Sequence, residues 1–207
     1  MSRTPYTTDN MLPVTESFYT LQGEGYNTGK AAFFIRLAGC DVGCSWCDSK
    51  ISWDIKKSPI VSIDDIVSDL IRHGAEYAVI TGGEPLMHPL DKLCSLLHEN
   101  GIRILLETSG SSPLSGSFDW ICLSPKRNKP PLSGVFKMAS ELKVIIKEID
   151  DLLWAEENRV KVTKDCKLYL QPEWSSMDLI LPDIIEYIKR NPKWTLSYQS
   201  HKFVNIP

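Results

Sequence analysis

Short apolar runs alternate with amphipathic segments along almost the whole chain, and this alternation restricts the fold more than any other feature. Residues 32–37, with Phe33, Phe34 and Ile35 in succession, suit a buried strand. Ser62 then stands as an N-cap with Asp64 and Asp65 in the first turn, Ile63, Ile66, Val67, Leu70 and Ile71 recur at helical spacing, and Gly74 supplies the stop. Residues 77–81 read as the next strand, 89–100 as a helix closed by Gly101, and 102–108 as the third strand. The pattern loosens over residues 109–118, rich in Ser, Gly and Pro, where no helix is expected. Strands follow at 120–123 and 141–146, then an acidic helix near 150–160, a strand over 167–171 and a helix near 176–190 that Pro182 should kink or delay. Residues 195–198 form a last short strand and 199–207 a tail. Strands alternating with helices predict an α/β fold with a parallel sheet and right-handed crossovers. The loops after residues 37, 81, 107, 123, 146 and 171 should then share the carboxyl edge, where such folds place their sites. No repeat or linker divides the chain, so residues 1–207 read as one domain, with 1–13 a loosely ordered N-terminal extension.

Composition works by exclusion. A chain of 207 residues should bury about 70% of its unfolded surface and needs no disulfide framework, so its six cysteines require another explanation. With 23 basic against 26 acidic residues and no basic stripe, nucleic acid is not expected as a partner. The first twenty residues lack the apolar core of a secretory signal, and no apolar run approaches the roughly 20 residues of a membrane span. A cytoplasmic protein without membrane contact is expected, and in a reducing compartment clustered cysteines read as metal ligands or redox centres.

Cys40, Cys44 and Cys47 form a C-x3-C-x2-C cluster in the loop after the first parallel strand. Structural zinc wants four closed ligands, whereas an iron–sulfur cubane held by three cysteines leaves one iron open. Zinc completed by His73, His88 or a distant cysteine is the alternative. Cys94 on an apolar helix face, Cys122 in a strand and Cys166 beside one read as small buried side chains. At the next strand end stands Thr81-Gly82-Gly83-Glu84-Pro85, whose glycines permit close backbone approach and whose carbonyls, or the Glu84 carboxylate, can accept from a ligand ammonium.

This cysteine spacing, with Trp46 before the third cysteine and the Gly-Gly-Glu-Pro turn one strand later, resembles the radical S-adenosylmethionine enzymes. Residues 18–25 (FYTLQGEG), 34–40 (FIRLAGC), 47–49 (CDS), 107–110 (ETSG), 124–126 (SPK), Gln171-Pro172 and His201-Lys202 together resemble the 7-carboxy-7-deazaguanine synthase family from about Val14 to Pro207. The resemblance implies a lyase that contracts the ring of 6-carboxytetrahydropterin on the route to queuosine-type bases. It also implies a shortened, incomplete TIM-type barrel of about six parallel strands with reduced helices, since a full barrel takes about 250 residues.

By the same resemblance, Cys40, Cys44 and Cys47 hold a [4Fe-4S] cluster. Trp46, Cys47, Asp48, Gly83, Ser124, Pro125, Lys126, Gln171, Pro172, Glu173 and Trp174 would bind S-adenosylmethionine. Leu21, Gln22, Gly23, Arg36, Thr81 and Pro207 would bind substrate, Arg36 as a planar fork for its carboxylate and Pro207 through its own carboxylate. Ser49 stands where the family often has a Mg2+-ligating threonine, and its hydroxyl offers the same hard oxygen. Glu107, at a strand end, is a candidate for the chemistry. An external electron donor such as a flavodoxin or ferredoxin and a homodimer are implied. The competing functions are an activase that passes its radical to a partner protein, and a metal or iron–sulfur protein without catalysis.

Overall fold

The computed structural model describes residues 10–207. Its single sheet has nine strands: β1 (Met11–Leu21), β2 (Ala31–Leu37), β3 (Ile60–Ser62), β4 (Tyr77–Gly82), β5 (Arg103–Thr108), β6 (Trp120–Leu123), β7 (Glu141–Ile146), β8 (Lys167–Pro172) and β9 (Thr195–Leu196), in spatial order β3-β1-β2-β4-β5-β6-β7-β8-β9. From β2 to β9 every pairing is parallel, while β1 runs antiparallel to both β2 and β3. Seven parallel strands with two edges left apart make an open (β/α) barrel, the six main apolar runs together with the short last strand expected at residues 195–198.

The helices are α1 (Ile63–Arg72), α2 (Asp91–Glu99), α3 (Ser133–Met138), α4 (Asp150–Arg159), α5 (Met177–Arg190) and α6 (Ser200–Val204). Ser62 caps α1 by accepting from the Asp65 amide at 3.0 Å. No helix lies between β5 and β6, as the Ser, Gly and Pro content there predicts. Pro182 does not delay α5, which starts at Met177 and carries the proline in its second turn, where the ring removes one amide donor. The expected tail contains α6, and α3 lies in a stretch between β6 and β7 to which the sequence assigned no element. Of the expected N-terminal extension, residues 1–9 lie outside the described residues, whereas Met11, Leu12 and Pro13 open β1 and pair with β3. None of the helices among the described residues is long and apolar enough to cross a membrane.

The strand period of two assigns the faces. Outward residues such as Phe33, Ile35, Ile80, Ile104 and Leu106 join α1 and α2 in one apolar core, and Leu142, Val144, Ile146 and Leu170 join α3, α4 and α5 in a second. Inward residues are layered: Ala32, Val79 and Leu105 form an apolar floor. Nearer the carboxyl edge the inward positions are Arg36, Thr81, Glu107, Lys143 and Gln171. Since Leu21 pairs with Ala31, the β1–β2 hairpin enters from the opposite, amino edge. It crosses the barrel, with the Gly25 amide donating to Ser197 Oγ and Gly23 carbonyl accepting from the Ser200 amide.

Candidate active site

A cavity of about 500 Å³ opens inside the carboxyl end of the barrel. The cysteine loop leaves β2 through Gly39, whose φ of 106° favours glycine, and the Glu84 amide donates to the Gly39 carbonyl at 2.8 Å. All three cysteines of the cluster motif line the cavity. Their surroundings suit thiolates: the Ser49 amide donates to Cys47 Sγ at 3.4 Å, and the Val42 and Gly43 amides face Cys40. Burial raises the Cys40 and Cys44 thiols above the ordinary range, and proximity to Cys47 raises both further. Bound iron would offset this by taking the deprotonated sulfurs as ligands. The imidazoles that a zinc site would recruit are engaged elsewhere: His88 Nε2 lies 2.7 Å from the Ala38 carbonyl, and His73 packs on Phe33 and Tyr19. Among the described residues no three His, Cys, Asp or Glu side chains converge on a single metal ion. Cys94, Cys122 and Cys166 are buried, with Cys94 and Cys166 pushed up by burial to about 12.

Of the residues assigned to S-adenosylmethionine, all but Pro125 line this cavity. Pro125 lines a smaller adjoining space of about 230 Å³ with Trp46 and Lys126, because the turn directs Ser124 and Lys126 inward and the proline away. Glu173 reaches the cavity, but its carboxylate accepts from Ser175 and Ser176 and caps the turn before α5. Glu84 corrects the sequence reading more sharply. It is 1% exposed, and its oxygens accept from Leu86 and Ser109 amides and from Thr108 and Ser109 hydroxyls. Its carboxylate ties β4 to β5, leaving Gly82 and Gly83 to face the cavity.

Every residue assigned to substrate lines the same space: Leu21, Gln22, Gly23, Arg36, Thr81 and Pro207. Arg36 donates through Nε to Glu16 at 2.6 Å and through Nη1 to Ser49 Oγ at 3.2 Å, so the strand ion pair and the inward guanidinium coexist. Ser49 and Asp48 also face the cavity; Asp48 accepts from Gln199 and Lys202, which hold its carboxyl below the usual range against the raising effect of burial.

Lys143 and Gln199 were not legible as site residues, and Glu24 was read only as part of a motif. Lys143, 3% exposed, donates to Glu24 Oε2 at 2.5 Å and Glu107 Oε2 at 3.0 Å. Gln22 Nε2 donates to Glu107 Oε1 at 3.1 Å, and Gln199 Nε2 to Glu24 Oε1 at 2.8 Å. Burial alone would lower the Lys143 ammonium, but Cys122 and the carboxylates of Glu107, Glu24 and Glu141 around it hold it well above ordinary lysine. Burial would likewise raise Glu24, and Lys143 reverses that. The signal available in sequence was a lysine flanked by Leu142 and Val144 in a strand whose only other charged residue is Glu141, which a buried parallel strand tolerates only with acidic partners.

Comparison with known proteins agrees with this arrangement. Residues 34–120 match the Radical SAM superfamily. The 7-carboxy-7-deazaguanine synthase of Flavobacterium psychrophilum is 48% identical over 95% of this chain and 93% of its own. That of a Synechocystis strain is 45% identical over 94% and 93%. The crystal structure of QueE from Escherichia coli superposes with a TM-score of 0.81 at 36% identity, covering 92% of this chain and 95% of that one. At 45–48% identity over more than nine tenths of its length, the chain belongs to the 7-carboxy-7-deazaguanine synthase family of radical S-adenosylmethionine lyases.

Proposed function

We infer that this chain converts 6-carboxytetrahydropterin to 7-carboxy-7-deazaguanine with release of ammonia, the net change being loss of NH3 without net oxidation. The observation that carries this reading is that three cysteines, Arg36 and the Gln22–Glu107–Lys143–Glu24 chain line one cavity. Family membership implies a [4Fe-4S] cluster and S-adenosylmethionine, which when bound supply a carbon radical able to take hydrogen from the substrate. Cys40, Cys44 and Cys47 would hold the cluster, and Gly83, Ser124, Lys126, Gln171 and the Trp46 ring would form the walls for S-adenosylmethionine. Arg36 keeps donors beyond those given to Glu16 and Ser49 for the substrate carboxylate. Gln22 and Glu107 present the opposite wall, fixing the ring relative to the cluster and excluding water.

Ser49 would give Mg2+ one hydroxyl, the remaining ligands coming from substrate and water, as suits this hard cation. Pro207 lines the same cavity and would face the substrate there. A cytoplasmic homodimer fed by a flavodoxin or ferredoxin completes the reading. An activase that passes its radical to another protein has no use for a buried set of acceptors shaped around a small ring. The test is anaerobic reconstitution followed by reductant, S-adenosylmethionine, Mg2+ and 6-carboxytetrahydropterin. Mass spectrometry should find the deazapurine; cluster-loaded protein that cleaves S-adenosylmethionine but leaves the pterin intact would overturn the assignment.

A further inference from the structure

Glu24 and Glu107 come from opposite sides of the barrel, one on the hairpin from the amino edge and the other on β5, and Lys143 forms an ion pair with each. Each carboxylate has one oxygen on Lys143 and the other on an amide nitrogen, from Gln199 for Glu24 and Gln22 for Glu107. A carboxylate has about four acceptor sites, and with Gln171 also on Glu24 and Cys122 also on Glu107 each retains about one for a ligand N–H. Both acids, Gln22 and Lys143 line the cavity.

We propose that Lys143 is a positioning residue for substrate recognition, holding Glu24 and Glu107 together as charged, oriented acceptors for the N–H edge of the bound ring. The proposal rests on the substrate reading above. Without Lys143, two carboxylates would share a buried space with no cation between them, and one would retain a proton near neutral pH. A protonated carboxyl turns one acceptor into a donor and misreads the ring. Full ionisation at higher pH adds an uncompensated negative charge that repels a substrate already carrying a carboxylate. The other titratable groups around Lys143 do not replace it: Cys122 on β6 is neutral, its thiol raised far up by burial, and Glu141 on β7 is raised chiefly by burial. Lys126 and His201 also feel the Lys143 charge, but Lys126 donates to Ser124 and the His201 ring packs on Gly23.

Equilibrium binding of 6-carboxytetrahydropterin to cluster-loaded, unreduced protein tests this without turnover. Lys143→Met should weaken pterin binding by about tenfold or more, with a larger loss at about pH 8.5 than at about pH 7, while S-adenosylmethionine affinity stays within about twofold. In Lys143→Met/Glu24→Gln one buried cation and one buried anion leave together. The double variant should recover most of the lost affinity and a flat pH response, and it is the deciding measurement if the single variant does not fold. Wild-type affinity and pH response in Lys143→Met overturn the inference, as does a double variant that does not fold or regains nothing. Wild-type protein that binds S-adenosylmethionine but no pterin refutes the substrate reading instead.

Discussion

Gly83→Ala is expected to unseat the cysteine loop from a position separated from Cys47 by β3, α1 and β4. A Cβ on Gly83 would lie 2.2 Å from the Gly39 carbonyl oxygen, 2.7 Å from its carbon and 2.8 Å from Cys40 Cβ. Relief requires a separation of about 1 Å between β4 and the cysteine loop, because ordinary contacts begin near 3.5 Å. The same two segments are joined by Gly83 N to Leu37 O at 2.9 Å and Glu84 N to Gly39 O at 2.8 Å, and the displacement breaks both. Two lost hydrogen bonds and residual overlap give about 2 to 4 kcal/mol of destabilisation, or a fall in Tm of roughly 5 to 15 °C. Because Cys40 moves with the loop, iron bound after anaerobic reconstitution should fall well below wild type. Gly134→Ala is the control: its Cβ meets nothing within 4 Å, and it lies in α3, where alanine should stabilise by up to about 1 kcal/mol. Paired measurements of Tm and iron content decide the matter. A Gly83→Ala protein with full iron and unchanged Tm would refute the close-packing argument.

Glu84→Gln should lower the urea midpoint by an amount equivalent to about 2 to 4 kcal/mol, since an amide cannot accept on both sides from Thr108 and Ser109; an unchanged midpoint counts against the buried tie. Glu156 accepts from Trp194, Tyr187 and Arg159, which outweigh burial and hold its carboxyl at about 2 against an ordinary 4.5. Its stabilisation is therefore complete above pH 4.5 and is lost as pH falls toward 2. That contribution is about 1 to 2 kcal/mol after allowance for a partly exposed side chain. Acid unfolding of Glu156→Gln should show a correspondingly shallower pH dependence, and an identical profile would contradict it. Alkylation of cluster-free protein followed by mass spectrometry should label Cys40, Cys44 and Cys47 while sparing Cys94 and Cys166 until denaturant is added.

The parallel strands were legible because each is a compact apolar run between turn residues, and all six main runs reappear as β2 and β4 to β8. β1 was not. Its residues Thr15, Glu16 and Ser17 are polar and partly or fully exposed near the edge of the sheet, so no apolar run marks the strand. With β1 hidden, the hairpin's direction was hidden too, and residues 22–25 were placed by resemblance rather than topology. Glu84 illustrates the opposite failure. A polar residue in a recognisable turn was read as facing ligand, whereas the tertiary fold aims it at the β5 end, where two hydroxyls and two amides satisfy it.

Lys143 shows why such positions resist local reading. Its neighbours Leu142 and Val144 identify a buried strand, and the period of two then sends the lysine inward. Whether an inward lysine is tolerable depends on acids 119 and 36 residues away, brought to it by the hairpin and by β5. Burying an ammonium costs several kcal/mol unless paired, so the strand can keep Lys143 only if Glu24 and Glu107 arrive. The converse also holds. Glu24 reaches the interior because the hairpin threads the gap that an open barrel leaves unfilled, where a closed eight-stranded barrel packs its centre with side chains. The missing strands and the buried charges are thus one feature: shortening the barrel made room for a loop, and the loop carried in the carboxylate that makes an interior lysine stable.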